Sequence, residues 1–260
     1  MSGGKLENRV ALITGASRGI GAAVAKLFVA EGAHVILMAR SKAGLEEVDD
    51  AIRSEFGDGH ATLMPFDVTK IDDLEALGPT ILHRFGKLDI FVANAGILGE
   101  QTPVSHSKMK DWKNIYTTNV LSNVQMIRTL EPLLKASDAG RAVVTGSIMG
   151  VEPHAFSGQY GVSKAAVMFL FKTWAEETKH TNLRVNVIHP GAVDTEMLRD
   201  IEASQAGGSA EQLRAQRTAS IPDGRYAEPS EVANLMVYLA SDLSSHITGQ
   251  GIQINGGSHY

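Results

Sequence analysis

Residues Arg9–Gly21 read RVALITGASRGIG, and this stretch decides the fold. RVALITG (Arg9–Gly15) is a β-rich apolar run that ends in glycine. TGASRGIG (Thr14–Gly21) then carries three glycines at a G-x-x-x-G-x-G spacing and leads into a helical pattern, with Ile20, Val24, Leu27 and Phe28 on one face. A strand, a glycine turn and a helix in that order let the backbone come close to a phosphate, whose charge the helix N-terminus meets.

The same alternation continues outward along the chain. Six further short apolar runs follow: His34–Arg40, Ala61–Asp67, Leu88–Ala95, Arg141–Ser147, Arg184–Pro190 and Gly251–Gly257. They are apolar throughout rather than at every second residue, the pattern of strands covered on both faces of a parallel sheet. Helical patterns lie between them at about Leu45–Phe56, Ile71–Phe85, Lys108–Lys135, Gly158–His180 and Pro229–Ala240. Pro132 is expected to kink or end the third of these. Strand and helix in alternation predict an α/β fold with a doubly wound sheet. No linker breaks the chain, so residues 1–260 read as a single domain, with residues 1–6 as a flexible tail. Residues 191–225 resist the pattern: they are polar and glycine-rich, and long loops in compact domains are usually functional.

Composition narrows the function. The chain has 260 residues, 43% hydrophobic and 20% charged, which is ordinary for a globular protein with a sizeable core. A net charge of −5 with no Lys/Arg run gives no nucleic-acid-binding face. No cysteine is present, which excludes disulfides and thiolate chemistry and fits a reducing cytoplasm. No apolar run reaches the length of a membrane span, and the start has no pattern of a secretory leader. His154, His180, His189 and His246 show no metal-ligand spacing, so no metal is expected, and His154 is the one histidine placed to line a pocket.

The second strand bears on the ligand. A dinucleotide site selective for NAD places an acid near the end of that strand, to hold the ribose hydroxyls. Here Ala39 and Arg40 stand there, and the next acid, Glu46, is already inside the following helix. A guanidinium binds phosphate bidentately. Arg40, with Arg18 from the glycine turn, therefore favours NADP(H) over NAD(H).

In SGQYGVSKAAV (Ser157–Val167), Tyr160 and Lys164 stand four apart and share a helix face. Ser147, at the end of the fifth apolar run, stands thirteen residues before Tyr160. Hydride exchange at a carbonyl carbon requires a proton at the oxygen. A tyrosine that supplies it near neutrality needs a pKa below its ordinary value of about 10, which a neighbouring ammonium provides. Asn119 falls inside a long helical pattern, where asparagine is mildly unfavourable.

TGASRGIG, DVT (Asp67–Thr69), ANAG (Ala93–Gly96), TNV (Thr118–Val120), Ser147, YGVSK (Tyr160–Lys164) and HPGAVDT (His189–Thr195) have the order and spacing of the short-chain dehydrogenase/reductases. The resemblance runs from about Leu6 to Gly257 and is nearest to the 3-oxoacyl-carrier-protein reductases in the glycine turn and the C-terminal third. It implies a Rossmann fold with a seven-stranded sheet in the order 3-2-1-4-5-6-7. It also implies a catalytic set. Tyr160 is the general acid/base, Lys164 lowers the Tyr160 pKa and holds the ribose, Ser147 orients the substrate oxygen, and Asn119 anchors a water in the proton relay. Cofactor contacts are implied at Gly15, Ser17, Arg18, Gly19, Ile20, Gly21, Arg40, Asp67, Val68, Asn94, Ala95, Gly96, Tyr160, Lys164, Pro190, Gly191, Val193 and Thr195. Ala93 departs from the family's usual asparagine. The Ile97–Ser107 segment does not look like that of the oxoacyl reductases.

Substrate selection is expected from Ile97–Ser107, Ile148–Phe156 and the 191–225 loop acting as a lid. Ser147, Met149, His154, Tyr160 and Met197 are the expected substrate contacts. The resemblance also implies a homotetramer built on the helices bearing Asn119 and Tyr160 and on the C-terminal strand. The expected activity is interconversion of a ketone or aldehyde and an alcohol with NADP(H). The alternatives are an NAD-dependent sugar or polyol dehydrogenase and a non-catalytic NADP-binding regulatory protein.

Overall fold

A computed structural model describes residues 3–205 and 209–258. Among these, seven strands form one parallel sheet: β1 (Val10–Thr14), β2 (His34–Ala39), β3 (Ala61–Pro65), β4 (Ile90–Ala93), β5 (Arg141–Thr145), β6 (Arg184–Pro190) and β7 (Gly251–Ile254). Their order is β3-β2-β1-β4-β5-β6-β7, as the resemblance implies. The chain reverses direction across the sheet between β1 and β4, and a doubly wound fold opens its ligand crevice at that point.

Side-chain alternation explains why the central strands read as apolar throughout. Ala11 and Ile13 of β1, Val35 and Leu37 of β2, and Ile90 and Val92 of β4 enter one core. Val10 and Leu12, Ile36 and Met38, and Phe91 and Ala93 enter the core on the opposite face. Successive residues point to opposite faces, and both faces are dry. The expectation of two-sided burial fails only at the edges. β3 is partly open and β7 alternates exposed with half-buried residues, because each has a single neighbouring strand.

The first core is covered by α1 (Gly19–Ala30), α2 (Lys42–Phe56) and α9 (Pro229–Ala240). The second is covered by α3 (Leu77–Phe85), α5 (Ser122–Ala136) and α6 (Gly158–Glu177), with Phe171 edge-on to Trp174 at 5.6 Å. Pro132 does not end α5, which continues to Ala136. The single helix expected over Lys108–Lys135 is divided: α4 (Met109–Tyr116) passes through a π-type turn, Thr117–Leu121, into α5.

Two expectations are corrected at the ends of elements. The tail expected over residues 1–6 stops short of Lys5. The Leu6 N–H donates to Glu31 O at 2.8 Å and its side chain is fully buried, while residues 1 and 2 lie outside the described residues. The 191–225 segment is not a plain loop. It folds into α7 (Glu196–Gln205) and α8 (Ala210–Ala219), and residues 206–208 lie outside the described residues. The glycines of SQAGGSAEQ obscured two short helices whose periodicity is mostly polar.

Candidate active site

The C-terminal ends of β1, β2, β4 and β5 open onto a groove of about 820 Å3. Gly15, Ser17, Arg18, Gly19 and Ile20 form its floor. The sequence folds this way because a side chain would not fit. A Cβ on Gly21 would fall 2.2 Å from Gly15 O, and Gly15 itself has φ +65 with Asn94 Nδ2 at 3.0 Å from where its Cβ would stand. The N-terminus of α1 receives no side-chain cap, and its first turn holds no acidic residue. Its unpaired N–H groups therefore face a cradle that suits a diphosphate.

Arg40 lies exposed at the end of β2 and borders the groove together with Arg18, Ser41, Ala43, Gly44 and Glu47. Arg18 reaches across to Glu196, the first residue of α7, at 3.0 Å. Asp67 accepts the N–H and hydroxyl of Thr69 at 3.0 and 2.8 Å. The Thr69 backbone bond, with help from Arg40, holds its carboxyl below the usual range. Asp67 and Val68 both border the groove.

Asn94 ties three strands together. Its Nδ2 donates to Thr14 O at 3.1 Å, and its Oδ1 accepts from the Thr145 hydroxyl at 3.0 Å. The Thr14 hydroxyl accepts the N–H groups of Asn94 and Ala95 at 2.9 and 3.0 Å. This network holds Ala95 and Gly96 at the groove wall. Thr14 and Thr145 were not singled out from the sequence, because a threonine in a strand is favoured by propensity alone.

At the far end stand Tyr160 and Lys164. Both border the groove, and the Lys164 ammonium lies 5.6 Å from the centre of the Tyr160 ring. Ser147 follows β5, stands close enough to Tyr160 to lower its pKa, and accepts the Met149 N–H at 3.1 Å. The Tyr160 hydroxyl is not brought below its ordinary pKa. Burial pushes it up to about 12, and Ser147 offsets this only in part. Lys164 stands over the Tyr160 ring and is held there by a backbone carbonyl. It donates to Thr145 O at 2.7 Å, and its own pKa falls to about 8 because it is buried.

Asn119 sits inside the π-type turn with its side chain fully engaged. Its Oδ1 accepts the Ile97 N–H at 2.9 Å, and its Nδ2 donates to Ile97 O at 3.0 Å and to Ser163 Oγ at 2.9 Å. It thereby clamps the segment after β4 against α6, and its own carbonyl accepts Asn123 Nδ2 at 2.8 Å. π-type turns inside helices concentrate at functional sites. The asparagine in a helical pattern was the sequence signal for this one.

Other expected contacts are more distant from the groove. Pro190 and Val193 are buried, and Gly191 packs on Asn255. They form the wall behind Thr195, which does border the groove together with Met197. Met149 and His154 are half-buried in the segment between Ser147 and Tyr160. His189 is buried behind Ser147 with Nδ1 3.2 Å from Ser147 O. A carbonyl only accepts, so Nδ1 carries the proton, and burial holds this imidazole neutral, below its ordinary pKa. No cluster of metal-ligating side chains occurs among the described residues.

The residues present fit a dinucleotide, with a glycine cradle, an uncapped helix start and two arginines at one end and a proton-bearing hydroxyl at the other. Known proteins point the same way. Residues 15–259 match the family model described as enoyl-(acyl carrier protein) reductase. The 3-oxoacyl-[acyl-carrier-protein] reductase of Vibrio harveyi is 34% identical over 98% of both chains. The enzyme of that name from Thermotoga maritima is 34% identical over 97% of this chain and 98% of its own. Among solved structures, L-sorbose reductase from Gluconobacter frateurii, complexed with NADPH and L-sorbose, superimposes with a TM-score of 0.91 at 31% identity, covering 99% and 98% of the two chains. Levodione reductase superimposes at 0.93 with 28% identity, over 97% and 98%. The chain belongs to the short-chain dehydrogenase/reductases, nicotinamide-dependent enzymes that interconvert carbonyls and alcohols.

Proposed function

We propose that this enzyme reduces a ketone or aldehyde with NADPH, with Tyr160 as the proton donor. The observation that carries the reading is the placement of Tyr160: it borders the groove together with Lys164, whose ammonium lies 5.6 Å from its ring centre, at the end of β5 where Ser147 stands. A protonated hydroxyl beside a substrate oxygen is what reduction requires. A bound reduced nicotinamide supplies the hydride. Ser147 hydrogen-bonds the same substrate oxygen and orients it towards Tyr160. Lys164, anchored on Thr145 O, holds the ribose side of the groove and brings positive charge towards the tyrosinate left by proton transfer. Asn119 keeps Ile97 and Ser163 in place around it. In the oxidative direction Tyr160 must instead accept a proton, and positive charge beside it favours that form.

The preference for NADPH rests on Arg18 and Arg40, which border the end of the groove remote from Tyr160. The L-sorbose reductase that this chain resembles was solved with NADPH. A charge-assisted hydrogen bond contributes about 1.5–3 kcal/mol, or roughly a factor of 10–100 in affinity. Arg40→Ala is therefore expected to raise KM for NADPH by about that factor and to leave KM for NADH nearly unchanged. Equal effects on both cofactors would remove the 2′-phosphate role. The same reading assigns the protein to the cytoplasm as a homotetramer, which cell fractionation and sedimentation test.

A further inference from the structure

α8 contributes no buried residue to the molecule, yet it packs against α7, whose first residues Glu196 and Met197 border the groove. Apolar burial is the usual anchor of a surface helix, and here charges take its place. Arg214 of α8 forks onto Asp194, with Nη1 to Oδ1 at 3.1 Å and Nη2 to Oδ2 at 2.6 Å. Its guanidinium also covers the Tyr226 ring at 4.9 Å from the centroid. The Tyr226 hydroxyl donates to Glu202 Oε1 of α7 at 2.6 Å. Glu202 is almost fully enclosed, and Arg217 and Arg214 approach it at 3.8 and 3.9 Å. Asp194 takes a further contact from Arg199 of α7 at 3.0 Å.

Each end of this network leads to the groove. Asp194 directly precedes Thr195 and Glu196, which border it, and its N–H donates to Ala227 O at 2.9 Å. Tyr226 directly precedes Ala227, which bridges to Val193. Arg214 thus touches, at one point, the turn beside the groove, α7 through Glu202, and the segment leading into α9. A carboxylate as enclosed as Glu202 is costly to leave unpaired. The two helices therefore hold their place only while the arginines do.

We propose that Arg214 is a positioning residue, the clasp that fixes the α7–α8 lid to the Asp194–Thr195 turn, so that the substrate side of the site closes only when that turn is in place. The proposal rests on the dinucleotide reading of the groove, because Thr195 is one of its expected contacts. It concerns substrate capture and leaves the proton chemistry at Tyr160 untouched.

The test compares wild type with Arg214→Lys and Arg214→Gln, and with Tyr226→Phe, which keeps the ring and loses only the bond to Glu202. Lysine keeps the charge but cannot fork onto Asp194 and Glu202 together. Three readouts are taken: NADPH affinity by fluorescence, KM and kcat for a carbonyl substrate of the wild-type enzyme, and amide hydrogen exchange with and without NADPH. The expected result for both Arg214 variants is at least a tenfold rise in substrate KM. kcat changes less than about twofold, NADPH affinity weakens in step with the lost protection of the lid, and exchange quickens in α7 and α8 alone. NADPH is expected to protect the lid of wild type and not that of the variants. Tyr226→Phe is expected to show a smaller rise of the same kind. Unchanged exchange in α7 and α8 of Arg214→Lys and Arg214→Gln would overturn the proposal. So would faster exchange across the whole sheet, which marks a general structural role. A wild type that fails to bind NADPH sinks the dinucleotide reading instead, and the exchange comparison between the cofactor-free proteins still reports on the clasp.

Discussion

Tyr160 is the residue on which the proposed chemistry turns. Burial raises its pKa from the ordinary 10.0 to about 12. Tyr160→Phe keeps the ring and removes the proton. Turnover is expected to fall by about 100- to 10,000-fold, the usual contribution of general acid catalysis, with NADPH binding nearly intact. A wild-type rate in that variant would remove Tyr160 from the mechanism. The same residue carries a stability signature. A folded-state pKa above the unfolded value stabilises the fold below about pH 10, and that contribution is lost as pH rises through about 12. Denaturant unfolding of wild type and of Tyr160→Phe should therefore diverge over that range, with the variant lacking this loss. The pairing of Tyr160 with Lys164 was legible as a four-residue spacing on a helix. The protonation state was not, because it depends on how much protein surrounds the hydroxyl and on Lys164 being turned to the Thr145 carbonyl.

At the scale of elements, the strand–turn–helix unit at Arg9–Gly21 behaves as its sequence states. Glycine is required at position 21 by a contact with Gly15 O that leaves no space for a methyl group. Gly21→Ala is expected to displace the turn, weaken NADPH binding at least tenfold, and lower unfolding stability by about 1–3 kcal/mol, the cost of overpacking a tight site. Calorimetry and equilibrium binding check the two parts separately. Elsewhere the elements were less legible. The π-type turn at Thr117–Leu121 has no periodicity signal of its own, since one extra residue in a helix shifts the pattern by less than a third of a turn. Helices α7 and α8 were obscured for another reason. α8 is held by ion pairs such as Asp194–Arg214 instead of by an apolar stripe, and hydrophobic periodicity reports only the latter.

Across the whole molecule, the sheet's two cores account for most of the large apolar side chains, and one group of the exceptions lies near the site. Phe169, Leu121 and Val162 lie on or next to the helices that bear Asn119 and Tyr160, and are 70%, 48% and 46% exposed. Val162 and Phe169 stand seven apart on α6, about two turns, so they present one apolar face. Such a face suits a second copy of the chain, in keeping with the homotetramer that the resemblance implies. Phe169→Glu is expected to shift sedimentation to a smaller species. An unchanged sedimentation coefficient would place the interface elsewhere.

The sequence by itself determined the alternation of strand and helix, the glycine cradle and the order of the chemical residues. These are local properties: two-sided burial writes apolar runs, and a tight turn admits only glycine. Tertiary structure alone decided the rest. It brought Asn94 under Thr14 and Thr145, turned Asn119 to clamp Ile97, raised the Tyr160 pKa, and fastened a polar lid through Arg214. Each of these joins residues far apart in the chain, or depends on how much protein encloses a charge. Neither quantity can be read from a residue's neighbours in sequence.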